Sequence, residues 1–257
     1  MIQSVRRAAL ILKELGSSPR LGVTELGERL GLAKATVFGL LRALEAEQLV
    51  ERDDETGKYR LGPAILQLGN AFLDNHELRA RSLLWAESLA SRVQEAVRVG
   101  VLNGRRVLIV HHVFRPDNSV QILEVGASIP WHACALGKAI VAYLEPEGRE
   151  ELLAGPLPRL TGRTLTTRAA LGAELDRVLD GGVAVEDQEA IVGEAGVAAA
   201  LFDNRGEVVG AIGLAGPVER LLPDGPAADA VAAVKEAARG LSRELGAGRL
   251  ATPGAGA

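Results

Sequence analysis

An α+β fold in two parts, a small helical module in front and a sheet-bearing domain behind, is the architecture this sequence predicts. Three observations carry that expectation. The chain has 257 residues, more than one small core requires. Apolar residues recur at helical spacing through most of the first fifty positions, and β-rich runs dominate only from Val97 onward. The composition, 47% hydrophobic and 24% charged, is that of a globular chain, and with 3% aromatic residues its cores must be built from Leu, Val, Ile and Ala.

The elements follow in order. "SVRRAALILKEL" sets Val5, Ala8, Ala9, Leu12 and Leu15 at helical spacing, and "SSPRLG" breaks it at Pro19 and Gly22. "TELGERLG" forms a second, short helix with Thr24 as its N-cap and Gly31 as its stop. "GLAKATVFGLLRAL" forms a third that runs to about Gln48, although Ala33 stands where a capping Ser would do better. Leu49–Arg52 and Lys58–Leu61 flank an Asp/Glu/Gly turn, as the strands of a hairpin do. Helical spacing resumes after Pro63, and a longer helix spans about Glu77 to Gln94. "AVRVGVLN", "RVLIVHHV" and "VQILEV" then read as strands. "ALGKAIVAYL" and "RAALGAELDRVLD" read as helices. Strands return in "VAVEDQ", "VAAALFD" and "VVGAIGLAG", the last two joined by a turn at Asn204-Arg205-Gly206. "PAADAVAAVKEAARGLSREL" closes the chain as an amphipathic helix, and "ATPGAGA" is a frayed tail. The expected domains are residues 1–63, linker helices over 64–95, a second domain over 96–246 and a flexible tail over 247–257.

Three short helices and a terminal hairpin make a winged helix-turn-helix pattern, whose last helix enters the major groove of DNA. Val37, Leu40, Leu41 and Leu44 share one face at 100° per residue. The opposite face carries Ala35, Gly39, Arg42 and Ala43, with Thr36 and Phe38 at its flanks. Small residues there let a helix sit deep in a groove. Lys34 and Arg42 would reach phosphate or guanine, Thr36 a phosphate or base edge, and Phe38 a thymine methyl. Arg52, Lys58 and Arg60 of the hairpin would meet the DNA backbone, and Thr24 completes the candidate contacts. A helix packed against another protein would also favour small residues, so a protein-binding scaffold competes with this reading. Residues 1–62 carry ten Lys/Arg and nine Asp/Glu, the remainder nineteen and twenty-four, so the front is near neutral and the back acidic. That pattern is compatible with localised DNA binding and argues against a general polyanion binder.

Several small constellations invite catalytic readings and fail them. His111-His112, followed by His132-x-Cys134, matches no common zinc spacing, and adjacent histidines on a strand point to opposite faces. "ALGKA" has His132 and Ala139 where a phosphate-binding loop needs Gly and Ser/Thr. Gly210, Gly213 and Gly216 do not make a dinucleotide fingerprint, and Glu186, Asp187 and Glu189 have no partnered nucleophile beside them. No catalytic residue, metal or cofactor is expected; an enzyme with an accessory winged-helix domain is the alternative. One cysteine, Cys134, excludes an intrachain disulfide, and no apolar run approaches the ~20 residues of a membrane span. With no secretory signal visible, a cytoplasmic protein is expected.

The stretch "SVRRAALILKEL…LGVTELGERLGLAKATVFGLLRALEAEQLVERDDETGKYRLG" resembles the DNA-binding domain of the IclR family of bacterial transcription regulators. "HACALGKAIVAYL" is similar to the family's H-A-T-A-L-G-K-A segment, and "VAVEDQEAIVGEAGVAAALFDNRGEVVGAIGLAGP" to its C-terminal signature. The three motifs occur in family order across roughly residues 2–245. "LDNHELRARSLLWAESLA" and "GVLNGRRVLIVHHVFRPDNSVQILEVGA" look most like the glycerol operon regulators within that family.

The resemblance implies a GAF-like C-terminal effector-binding domain with an antiparallel sheet, a homodimer or homotetramer, and double-stranded operator DNA as partner. It also implies repression of a glycerol or related carbon-catabolic operon, relieved by a small metabolite such as glycerol 3-phosphate or glycerol. By motif position the effector would meet His132, Cys134, Ala135, Leu136, Gly137, Lys138, Glu186, Gly196, Gly213 and Ala215. The amides of Ala135 and Leu136, at a helix N-terminus, would suit a carboxylate or phosphate. Gly196, Gly213 and Ala215 stand where other members carry a Cys and two Ser, which implies more room and a larger ligand such as a polyol phosphate. No arginine clamp for a phosphate is evident in the sequence.

Overall fold

The computed structural model describes residues 2–117 and 121–248, and the chain divides into two compact units, Met1–Asn75 and His76–Ala257. The predicted frayed tail, from residue 249 on, lies outside the described residues.

The first unit contains α1 (Gln3–Ser17), α2 (Val23–Leu30), α3 (Lys34–Ala46), β1 (Val50–Arg52), β2 (Tyr59–Leu61) and α4 (Pro63–Asp74). Ile11, Leu15, Leu26, Val37, Leu41, Leu44, Val50 and Tyr59 form its core. On α1 the buried stripe is Ala8, Ile11, Leu12 and Leu15 at i, i+3, i+4, i+7; Val5 and Ala9, expected to share it, are exposed. Thr24 is not a cap. The helix starts one residue earlier, and the Gly22 N–H donates to the Glu25 carboxylate at 2.6 Å instead. Gly31 stops α2 in a left-handed conformation at φ 63°, which costs glycine nothing and lets the chain turn at once into α3. Ala33 starts α3 with no side-chain cap, and Gln48, expected at the helix end, lies beyond it at φ 55°. The hairpin pairs Val50 with Leu61, Glu51 with Arg60 and Arg52 with Tyr59, and Leu21 adds a rung by exchanging both backbone hydrogen bonds with Tyr59.

The second unit contains α5 (Glu77–Val93), β3 (Ala96–Asn103), β4 (Arg106–Val113), β5 (Ser128–Pro130), a 3-10 turn (Trp131–Ala133) and α6 (Ala135–Ala142). It continues through α7 (Pro146–Ala154), α8 (Arg168–Gly181), β6 (Ala184–Asp187), β7 (Glu194–Phe202), β8 (Val208–Pro217), α9 (Val218–Leu221) and α10 (Ala228–Glu244). The strands make one antiparallel sheet in the order β5-β4-β3-β8-β7-β6. Alternation along each strand splits its side chains between two cores. Val97, Val99, Val197, Leu201, Ile212 and Leu214 meet α5 and α10, whereas Val107, Ile109, Ala184, Ala198 and Ala211 meet α6 and α8.

"VQILEV" is not a strand over its described residues, Gln121–Val125. Its polar members take other partners: the Gln121 side chain bonds both the N–H and the carbonyl of Arg115, and the Glu124 carboxylate pairs with Arg98. These contacts override a β-rich local sequence. The strand pairing with β4 is three residues later, at Ser128–Pro130.

Candidate DNA-reading surface and effector site

On α3, Val37, Leu41 and Leu44 are buried while Lys34, Ala35, Phe38, Gly39, Arg42 and Ala43 face water. Thr36 is half-buried, and a Cβ on Gly39 would meet nothing within 4 Å. The exposed face is thus shallow, with two cations at its ends and one aromatic edge, Phe38, between. Lys34, Arg42 and Arg52 have no carboxylate partner among the described residues. Thr24 lies exposed in the first turn of α2.

The two other wing cations are engaged. Lys58 Nζ lies 3.3 Å from Glu25, and Arg60 pairs with Glu51 across the hairpin at 2.9 Å. Such exposed pairs are weak, so another anion can take over either cation at small cost. Asp53 shapes the wing tip by accepting from the N–H and hydroxyl of Thr56, both at 2.9 Å, and pairs with Arg20 at 3.1 Å.

In the second unit, the expected effector residues sit on or against the sheet face that α6 covers. Register puts Ala215 beside Gly196 and Gly196 beside Glu186; in the next row Gly213 lies between Arg98 and Ala198. A Cβ on Gly196 would lie 3.3 Å from the Ala135 Cβ and 3.5 Å from the Glu186 carboxylate, so this strand residue, helix start and acid converge. The expected extra room is not there at Gly213, and at Gly196 it is limited. A Cβ on Gly213 would stand 2.5 Å from the Val197 carbonyl and 2.6 Å from the Ala198 Cβ, and the space at Gly196 is walled by Ala135 and the Leu214 carbonyl.

Cys134 caps α6: its sulfur accepts from the Gly137 N–H at 3.4 Å, and burial pushes the thiol up to about 12, so it stays protonated. Gly137 is required because a Cβ there would fall 2.2 Å from the Trp131 carbonyl oxygen. The amides of Ala135 and Leu136 carry no hydrogen bond among the described residues, as first-turn donors without intrahelical partners. His132 is buried and bonds the Pro158 carbonyl through Nε2 at 3.0 Å, which fixes the proton on that nitrogen, and burial holds its pKa below the ordinary value. Leu136 belongs to the core beneath α6.

Lys138 is wholly buried, 2.6 Å from Glu189 and 3.3 Å from Glu174. Its ammonium is therefore engaged inside the domain. Glu186 accepts from the amides of Glu189 at 2.8 Å and Ala190 at 3.3 Å. Burial nevertheless pushes its carboxyl up to about 7, against the pull of those amides.

Arg98 is the residue that sequence reasoning missed. It alternates with Val97 and Val99 and so points to the α6 side, in register with Gly213 and with His112. Its Nη2 donates to the Glu124 carboxylate at 2.7 Å, Nε is ion-paired with the same carboxylate without a hydrogen bond, and Glu194 lies 3.8 Å away. A lone charge within an apolar alternation was the available signal; its partner lay in a run that reads as a strand. His112 is on the same face, accepts from the Glu124 N–H at 3.2 Å, and is driven down to about 4 by burial and by Arg98. His111 faces α5, among the charges of Arg79 and Glu87, so the two histidines are indeed separated by the sheet. Among the described residues no group of three or more His, Cys, Asp or Glu is placed to hold a metal ion.

A winged helix-turn-helix with an exposed small-residue helix, in one chain with a sheet domain that carries a compact polar site, defines the class of ligand-responsive transcription regulators. Residues 4–54 match the IclR helix-turn-helix domain and residues 70–243 the family described as "Bacterial transcriptional regulator IclR C-terminal". This chain belongs to the IclR family. Two curated relatives are the "Glycerol operon regulatory protein" of Streptomyces griseus, 50% identical, and that of Streptomyces coelicolor, 46% identical, each over 96% of this chain and 98% of its own. An IclR-type transcriptional regulator from Alicyclobacillus acidocaldarius superposes with a TM-score of 0.80 at 28% identity, over 96% of this chain and all of that one. These relatives are regulators, not enzymes. No helix among the described residues is long and apolar enough to cross a membrane.

Proposed function

We propose that this regulator represses a glycerol or related carbon-catabolic operon in the cytoplasm and that glycerol 3-phosphate releases it. Two α3 helices of a homodimer would occupy successive major grooves of a pseudo-palindromic operator, with the wing on the adjoining backbone. Residues 1–63 would read DNA, 96–246 would bind effector, and the helices over 64–95 would join them. Thr24, Lys34, Thr36, Phe38, Arg42 and the wing cations are the DNA-contacting side chains in this reading, with Ala35 and Gly39 admitting the groove wall. His132, the start of α6 from Cys134 to Lys138, Glu186, Gly196, Gly213 and Ala215 frame the effector.

The observation that carries the reading is identity of 50% and 46%, over nearly the whole length, to two proteins named for the glycerol operon. Exposed apolar residues support self-association: Ile2, Val5 and Leu10 on the side of α1 that its core leaves open, and Leu66, Leu68 and Phe72 on α4. An effector changes operator affinity only by binding one arrangement of the dimer better than the other. The test is a mobility shift on DNA flanking the gene and its neighbours, with and without glycerol 3-phosphate. A specific, salt-sensitive complex that the ligand dissolves is expected. A complex unmoved by glycerol 3-phosphate overturns the effector, and no specific complex overturns the whole reading.

A further inference from the structure

Arg98 and Glu124 are in an unusual relation for a surface ion pair. The cation is rigidly placed, mid-strand on β3, with its side chain only 17% exposed. The carboxylate comes from a connecting segment and is 25% exposed. A guanidinium this far from water needs an anion in its fork, whereas a carboxylate at the rim regains hydration when it leaves. Nη2 donates to one Glu124 oxygen while Nε faces the other as an ion pair, so the edge of the guanidinium that could fork a phosphate or a ligand carboxylate is turned toward this carboxylate.

The surroundings say what would compete for that fork. Gly213, beside Arg98 in the register, and Ala215 and Gly196 in the next row bring no side-chain donor to this face. Lys138 is held within its own carboxylates. Cys134, at the start of α6, lies within the electrostatic reach of Arg98. Arg98 is therefore the strong donor available to an anion bound between the sheet and α6.

We propose that Arg98 is the anion-recognising, specificity-determining residue of the effector site and that Glu124 is its internal competitor. A small polyol phosphate binds by exchanging with the Glu124 carboxylate in the Arg98 fork. The exchange selects dianionic over neutral ligands, because a neutral polyol cannot replace a charge. This rests on the reading of the second unit as an effector domain, but not on which phosphate is the natural ligand.

The test is calorimetric titration of the full chain with glycerol 3-phosphate, glycerol and inorganic phosphate, in the wild type, Glu124→Gln, Arg98→Lys and Arg98→Met/Glu124→Gln. Glu124→Gln is the decisive variant, since it keeps shape and backbone and removes only the competing charge. It is expected to lower the Kd for glycerol 3-phosphate about 10-fold, while the double variant raises it at least about 30-fold, as loss of charge-assisted bonds should. Arg98→Lys, which retains charge but not the fork, should fall between. Thermal unfolding of each variant confirms that it is folded. Tight glycerol 3-phosphate binding that ignores both Arg98 and Glu124 overturns this proposal and leaves the effector assignment standing. Inorganic phosphate binding that tightens in Glu124→Gln, without glycerol 3-phosphate binding, upholds the proposal and overturns that assignment. Binding of glycerol alone, or of no anion by any variant, overturns both.

Discussion

The Lys138 ammonium lies 2.6 Å from the Glu189 carboxylate with no exposure to solvent, on the helix whose start is proposed to frame the effector site. Glu174 approaches the same ammonium to 3.3 Å and is held in turn by Arg177 at 2.8 Å. The cluster ties α6, which carries candidate effector residues, to α8 and to the segment after β6 through one buried cation.

Replacing that cation tests its structural weight. Lys138→Met leaves two nearly buried carboxylates facing each other, and removing one partner of a buried pair typically costs about 3–5 kcal/mol. Denaturant midpoints at pH 7.5 should show a loss of that size. The loss should shrink at pH 5, where the stranded carboxyls take up protons. A deficit under about 1 kcal/mol at pH 7.5 would mean that water reaches the cluster.

Glu186 makes a pH prediction with a definite sign. Its carboxyl is pushed from 4.5 up to about 7 by burial, so between those values the folded state binds more protons than the unfolded. Stability then falls as pH rises from about 4.5 to 7 and is flat above, with roughly 3 kcal/mol as the full linkage for such a shift. Glu186→Gln keeps an oxygen for the amides of Glu189 and Ala190 and removes the proton. It should flatten this part of the profile and stabilise the domain above pH 7. An unchanged profile would show that Glu186 titrates normally.

The start of α6 is the most exacting backbone position of the site. Gly137→Ala would place a Cβ 2.2 Å from the Trp131 carbonyl oxygen, a contact that backbone, not a flexible side chain, would have to relieve. A loss of several kcal/mol in the second unit's transition is expected. Operator binding by the first unit should outlast the loss of effector response, which paired melts and DNA titrations would show. Wild-type stability would mean the turn before α6 can shift.

What the sequence disclosed depended on how local the cause was. The buried face of α3 was legible because Val37, Leu40, Leu41 and Leu44 follow helical spacing, and the sheet strands because β-branched runs alternate between turn residues. Thr24 misled as a cap because Glu25 reaches back to the Gly22 amide, a choice between neighbours that spacing cannot decide. "VQILEV" misled more deeply: Glu124 is drawn to Arg98, 26 residues away, which no local propensity records. The supposed room at Gly213 failed for the same reason, since Val197 and Ala198 of the adjoining strand fill it. Family motifs pointed to candidate effector residues, but the place of Arg98 beside them emerged only from register.

The wing offers a gain-of-function test. Arg60 is held by Glu51 at 2.9 Å and is about half exposed. Glu51→Gln releases the guanidinium without altering the hairpin register, so DNA affinity should rise a few-fold at low salt. The salt slope, log K against log salt, should steepen by up to about 1 if Arg60 then claims one further phosphate. An unaltered slope would place the wing tip away from the backbone.

Arg42 tests the proposal that α3 is the recognition helix. It is exposed on α3, without a carboxylate partner among the described residues, on the face cleared by Ala35, Gly39 and Ala43. Two outcomes of Arg42→Ala separate its possible partners. Loss of a bidentate guanine contact costs about 1–3 kcal/mol on the operator and little on unrelated DNA, so the specificity ratio collapses. Loss of a phosphate contact weakens both DNAs alike and lowers the salt slope by about 1. With Thr36 half-buried and Phe38 apolar, the face has few other donors for base edges, so the first outcome is expected, read by anisotropy titration on operator and scrambled duplexes across salt. Unchanged affinity for both would remove α3 from the groove. A uniform loss would instead assign specificity to dimer spacing and to the deformability of the operator between its half-sites.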